Sequence, residues 1–230
     1  MRAALQPLYV TYCAVLFLGL GMTVLVINLF PHSLRRRRLV AGVFSRAFMR
    51  AAGMPFTVAG LDRLPQVPCV VVANHASYID GLVAAAALPP DFAFVIKKEM
   101  VRVPLAGMLL RRLGSQFVER FDRHKGGVDA RRVLKLAATG QSLVFFPEGT
   151  FNEIRQIGKF LGGAFTTAAR SNMPVVAMAI HGTRAVMPPG GIVVYPLPIR
   201  VEILEVLTAA DAKRRSREMI AQAVGEPLAP

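Results

Sequence analysis

The sequence predicts an α/β fold: a single mixed, largely parallel sheet covered by helices on both faces, preceded by an N-terminal membrane-attaching helical segment. Three observations carry this. Strand-like and helix-like runs alternate from about residue 56 onward. Several strand-like runs, PCVVVAN (68–74) among them, are apolar without alternation, as expected of strands covered on both faces. The stretch 8–30, LYVTYCAVLFLGLGMTVLVINLF, has no charged residue and is long enough to cross a bilayer core as a helix.

Arg2 and the amino terminus are the only charges before that stretch, and PHSLRRRR follows it. The positive-inside rule then places Arg35, Arg36, Arg37 and Arg38, with all that follows, in the cytoplasm. Such a block favours anionic headgroups by about 1 kcal/mol per basic residue near the surface. A buried core helix followed by a solvated charge run is the other reading, and spanning and dipping into one leaflet fit the residues equally. Residues 39–54 have helical apolar spacing, with Arg46 and Arg50 one turn apart, and predict an amphipathic interfacial helix ended by Gly53 and Pro55. The chain thus divides into membrane-anchoring helices at 1–55 and a domain at 56–230. Within the domain, strands are predicted at 68–74, 92–98, 115–120, 142–149 and 174–182, with one or two more across 192–204, interrupted by Pro196 and Pro198. Helices are predicted at 81–88, 104–114, 126–140, 162–171 and 211–224.

The composition narrows the partners. Of 230 residues 53% are hydrophobic and 18% charged, yet the net charge is +14. An apolar, strongly basic chain suits anionic lipid surfaces or acidic carrier proteins. There is no zinc-finger spacing, no Trp and no aromatic RNA-binding signature, so no nucleic acid partner is expected. The two cysteines, Cys13 and Cys69, have neither metal-ligand spacing nor a disulfide framework.

Four stretches could carry chemistry. In VVANHASYIDG (71–81), His75 follows a buried strand and so lies at its carboxyl end, where open α/β sheets bind ligands. Ser77 and Asp80 have the spacing of a capping box, which alone would explain Asp80. A helix starting at Ser77 would also bring Asp80 within hydrogen-bond reach of His75, as an orienting carboxylate for a base. In LVFFPEGTF (143–151), Pro147 ends the strand and Gly149 allows close backbone approach, leaving Glu148 at the sheet edge or in a plain solvated turn. In GSQFVERFD (114–122), Arg120 is either a phosphate fork or a surface cation paired with Glu119 or Asp122. In MPVVAMAIHGT (173–183), His181 is either functional or a satisfied histidine at a strand end.

Together these stretches resemble the glycerolipid acyltransferase family, which includes the 1-acylglycerol-3-phosphate acyltransferases. Its four ordered blocks match Asn74, His75 and Asp80 with Ser77 and Tyr78 between them; Gly114, Phe117 and Arg120; Phe146, Pro147, Glu148, Gly149 and Thr150; and Pro174 with Val175 and Val176. The resemblance covers roughly residues 55 to 205. It implies that His75 is the general base on an acceptor hydroxyl, oriented by Asp80, and that the hydroxyl oxygen attacks an acyl thioester without an acyl-enzyme. It further implies that Arg120 meets the acceptor phosphate and that Glu148, Gly149, Thr150 and Asn74 lie with the acceptor. Lys97 is placed near the phosphate or the thioester oxygen. The implied partners are membrane lipids, a lysophospholipid acceptor and acyl-CoA or acyl carrier protein as co-substrate; no metal or other cofactor is called for.

Two departures bear on the acceptor. Phe151 and Asn152 stand where the family often has Arg-Ser, and Leu161 stands in place of a Lys, although Arg155 and Lys159 are close by in the chain. Both lost cations leave room for an acceptor with another headgroup or an acylated amino-acid lipid. A non-catalytic lipid-binding protein and a thioester hydrolase are the further alternatives.

Overall fold

The computed structural model describes residues 5–119, 123–151, 153–191, 193–208 and 210–230, with the backbone alone at 123–127. Two helices, α1 (Gln6–Leu29) and α2 (Leu34–Ala51), precede strand β1 (Phe56–Ala59). Then follow β2 (Val70–Ala73), α3 (Asp80–Ala87), β3 (Phe92–Lys97), α4 (Ala106–Arg112), β4 (Gln116–Val118), α5 (Arg123–Ala138) and β5 (Ser142–Phe145). The chain closes with α6 (Gly163–Arg170), β6 (Val175–His181), α7 (Thr183–Val186), β7 (Ile199–Leu207) and α8 (Ala212–Val224). The seven strands form one sheet in the order β1-β7-β6-β2-β5-β3-β4. Only β6 and β7 pair antiparallel, so the mixed, largely parallel sheet is as the sequence predicts.

The uninterrupted apolar character of β2 has a direct cause. Val70 and Val72 pack with Val133, Ile157 and Ile220 on one face, while Val71 and Ala73 pack with Met49, Val83 and Ile203 on the other. Each side chain of β2 is buried, which is worth about 1.5–3 kcal/mol per valine-sized residue relative to exposure. Helices α1 and α2 contribute to the second of these cores through Cys13, Phe48, Met49 and Ala52. Phe17 and Phe48 meet edge to face with ring centroids 5.6 Å apart.

Several element boundaries differ from the sequence-based expectation. Strand β1 was not expected; it is four residues long and pairs parallel to β7. The segment ahead of β7 is not a strand, because Pro196 and Pro198 have no N–H for the ladder. Helix α2 starts at Leu34 rather than 39, with Ser33 as its N-cap accepting from the Arg36 N–H at 3.3 Å. The arginine block is therefore the first turn of a helix, where cations oppose the helix dipole. Carbonyls at the end of α4 offset this: Arg37 donates to Arg112 O at 3.3 Å and Arg38 to Leu113 O at 2.9 Å. Arg35 pairs with Asp91 at 3.1 Å.

Candidate active site

The parallel strands β2, β3, β4 and β5 all end at one sheet edge, and that is where the sequence-selected residues lie. Just beyond β2, the buried Asn74 amide substitutes for a ladder rung. Its Nδ2 donates to Ile180 O at 2.9 Å, and its Oδ1 accepts from Ile180 N–H at 2.8 Å. The strand thereby stops without leaving β6 unpaired, and the chain turns into His75. Both atoms of the Asn74 amide are thus committed to backbone.

Asp80 is fully buried as the first residue of α3. A single carboxylate oxygen, Oδ2, accepts from the Ala76 N–H (2.6 Å), the Ser77 N–H (2.8 Å) and His75 Nδ1 (2.8 Å). The helix begins at Asp80, one residue ahead of the predicted 81–88, after a turn in which the Asp80 N–H donates to Ser77 O at 3.3 Å. The Ser77 hydroxyl donates to Met187 O at 2.8 Å and accepts from the Ile79 N–H at 3.5 Å. The carboxylate half of a capping box is thus present, while its hydroxyl half meets Ile79 only at long range. Asp80 can only accept, so the neutral imidazole carries its proton on Nδ1 and leaves the Nε2 lone pair free. A hydroxyl brought to Nε2 can pass its proton there while the buried anion stabilises the imidazolium.

Two rings hold the imidazole. Phe146 stacks on it with centroids 4.7 Å apart, and Phe151 meets it edge to face at 4.6 Å. Tyr78 in turn packs edge to face on Phe151 at 4.7 Å. Ring and backbone are fixed separately. The backbone N–H of His75 donates to Glu148 Oε1 at 2.7 Å, and Glu148 Oε2 accepts from the Gly158 N–H at 2.7 Å. Glycine at position 158 eases this approach, since a Cβ there would stand 3.0 Å from Glu148 Oε2 and the carboxylate would have to give way. Glu148 is carried by a turn in which the Gly149 N–H donates to Phe146 O at 3.0 Å with Gly149 at φ +81°. Burial pushes the Glu148 carboxyl above its ordinary value, and the two backbone N–H groups and His75 pull the other way. Protonation of Glu148 as pH falls would weaken its grip on both amides. Loss of the Glu148 charge is accordingly expected to contribute to the acid limb of kcat from above the ordinary carboxylate range, read from a kcat–pH profile.

The other expected residues are placed as follows. Lys97 ends β3, exposed and without an ion pair among the described residues, two strands from β2. Thr150 is exposed, its hydroxyl 3.4 Å from Phe151 O. Arg120 and Asn152 lie outside the described residues. His181 ends β6, 4.0 Å from Glu202, with burial lowering its pKa. It lines a cavity of about 300 Å³ with Asn74, Thr183 and Arg184. A larger cavity, about 590 Å³, lies at the opposite sheet edge, bounded by Pro68, Phe92 and Ser142. Other candidate nucleophiles are ill suited: Ser77 is tied to backbone, and burial pushes the Cys69 thiol up to about 11. The sequence reading did not include Gly158, nor the contact of Phe146 and Phe151 with His75. Phe151 was flagged there only as a missing cation.

The fold is shared with the crystal structure of the 1-acyl-sn-glycerophosphate acyltransferase PlsC from Thermotoga maritima, with a TM-score of 0.77 over 97% of this chain and 95% of that one, at 22% identity. A chloroplastic 1-acyl-sn-glycerol-3-phosphate acyltransferase of Brassica napus is 34% identical over 135 residues, 58% of this chain and 39% of that protein. The 1-acyl-sn-glycerol-3-phosphate acyltransferase of Pseudomonas aeruginosa is 30% identical over 156 residues, 66% of this chain and 59% of that protein. The chain thus spans about two to three fifths of the length of these relatives. The acyltransferase family model matches residues 55–181. That stretch holds the His75–Asp80 pair and the Glu148 clamp together with the strands that position them, and the chain belongs to the acyltransferase family.

Proposed function

We propose that the chain transfers a fatty acyl group from an acyl thioester, on coenzyme A or acyl carrier protein, to the free hydroxyl of 1-acylglycerol 3-phosphate, giving phosphatidic acid. The observation that carries this is the His75–Asp80 pair with Nε2 left open at the carboxyl edge of the sheet. His75 takes the hydroxyl proton, the oxygen attacks the thioester carbonyl, and the thiolate leaves with a proton. The relatives named for lysophosphatidate acylation support the choice of acceptor. Arg120 is the cation assigned to its phosphate, and Lys97 is assigned to the phosphate or the thioester oxygen. The test is a panel of lyso-lipid acceptors run with both donor types; lysophosphatidate is expected to be the preferred acceptor. Ready acylation of a lyso-lipid without a free phosphate, and none of lysophosphatidate, would remove this choice.

One observation favours a second acceptor class. Phe151 presents an apolar ring against His75 where a cation would meet a phosphate. Phe151→Arg is expected to lower KM for lysophosphatidate if that headgroup lies beside residue 151, and to leave KM unchanged if the phosphate is held from the Lys97 side.

The same reading places the protein on a membrane through α1. Both ends of this helix are tied to the domain: Gln6 donates to Val194 O at 2.8 Å, and Arg112 donates to Asn28 O at 2.9 Å. Between these ties Leu8, Val15, Leu18, Met22 and Val26 are exposed, an apolar face too large to leave in water. Such a helix lies along the domain and enters one leaflet rather than leading away from it. Leu8→Glu, Val15→Glu and Leu18→Glu combined should abolish co-flotation with anionic liposomes while melting stays near wild type. Full flotation of this variant would mean that another surface binds the membrane.

A further inference from the structure

The chain after α8 returns to the active-site side of the sheet. The Ile157 N–H donates to Pro227 O at 2.9 Å, and the Ala229 N–H donates to Ile157 O at 2.9 Å, forming a parallel bridge between Ile157 and Leu228. Arg217 of α8 reaches the same place. Its Nε donates to Gly158 O at 2.8 Å, and its Nη2 to Ile157 O at 3.0 Å and Ala229 O at 2.5 Å. Glu226 stands between Arg155 (3.7 Å) and Arg184 (3.4 Å), fixing the start of the returning segment.

One peptide group connects this strap to the catalytic pair. The carbonyl of Ile157 and the N–H of Gly158 belong to the same peptide bond. The carbonyl accepts from Arg217 and Ala229, and the N–H donates to Glu148. A trans peptide is planar, with C=O and N–H pointing in opposite directions, so holding the oxygen aims the hydrogen. Glu148 then holds the backbone of His75 with its other oxygen. None of the three carbonyls gripped by Arg217 belongs to α8, which closes on its own with Gly225 at φ +67°. The guanidinium is not needed to finish that helix.

We propose that Arg217 and the segment 227–229 are positioning elements for His75, acting through the 157–158 peptide and Glu148. This rests on His75 being the general base. Without Arg217 the Ile157 carbonyl keeps only the Ala229 N–H, the peptide is held less firmly, and the Gly158 N–H is aimed less well at Glu148. Its carboxyl, raised by burial and by the nearby Asp80 anion and lowered by His75 and the two N–H groups, then rises further. The acid limb of kcat moves to higher pH.

The test compares Arg217→Ala, Arg217→Lys, Ala229→Pro and a control, Arg214→Ala, in the full chain. Arg214 lies on the same helix and pairs with the exposed Glu218. Arg217→Ala is expected to lower kcat by about tenfold to a hundredfold, the effect of a small misplacement remote from the chemistry. KM for either substrate should hold and the acid limb should shift upward. Arg217→Lys should recover part of the loss. Ala229→Pro, which deletes one donor to the Ile157 carbonyl without touching α8, should give a smaller loss of the same kind. Hydrogen exchange at the His75 and Gly158 amides should quicken in Arg217→Ala and match wild type in Arg214→Ala. Wild-type kcat and acid limb in a folded Arg217→Ala variant, or unchanged exchange at those two amides, would overturn the proposal. Should wild type transfer no acyl group at all, the function is refuted, and the exchange rates alone decide whether the strap holds Glu148.

Discussion

His75→Ala is expected to lower kcat for acyl transfer by about 10²–10⁴, the usual contribution of a positioned general base. The fold should survive. The contact that ties position 75 to Glu148 uses the backbone N–H, which alanine keeps. The imidazole is partly exposed, so its loss leaves a recess between Phe146 and Phe151 rather than a sealed void. Steady-state kinetics with lysophosphatidate should show the loss in kcat with KM unchanged, since Nε2 acts only when the proton moves. Retention of most activity by the folded variant would end the general-base assignment.

Asp80→Asn is expected to lower kcat as well, by a different route. The three N–H donors now converging on Oδ2 can all donate to an amide carbonyl in its place, so the turn and the Nδ1–H tautomer persist. The amide nitrogen then occupies the site of Oδ1, which is buried and has no partner. What disappears is the negative charge beside the imidazolium. Asp80→Ala should differ in kind: two buried backbone amides and the partly exposed imidazole N–H lose their acceptor, at about 1–3 kcal/mol for each buried group left unsatisfied. A melting curve separates the two variants. Asn should melt near wild type while Ala melts well below it, and a catalytically competent Asn variant would contradict the role given to the charge.

Much of this was legible in the sequence because the relevant signals are local. Apolar strands at 68–74 and 174–182 and the proline and glycine punctuation around them define the central sheet. His75 and Asp80 are five residues apart, so one turn brings them together. What was not legible depends on contacts between distant parts of the chain. Glu148 was found at the right edge, but its two amide partners are set by how β2 packs beside β5 and by where Gly158 comes to rest. The commitment of Asn74 to Ile180 requires β6 to be its neighbour. Strand β1 escaped notice because four half-buried residues at a sheet edge carry little pattern, and it is registered only by β7, far along the chain. The second bond of the Ser77 hydroxyl, to Met187 O, depends on a partner far along the chain that a local capping rule does not contain.

Direct transfer from a thioester to a lipid hydroxyl is the central claim, and the stoichiometry of thiol release tests it most closely. Purified protein in liposomes is given acyl-CoA, and free thiol is followed against phosphatidate formed, with and without lysophosphatidate. One thiol per phosphatidate, and none above background when the acceptor is omitted, is the predicted result. Thiol release at an undiminished rate without the acceptor would mean that water or an enzyme nucleophile takes the acyl group, and would contradict the account.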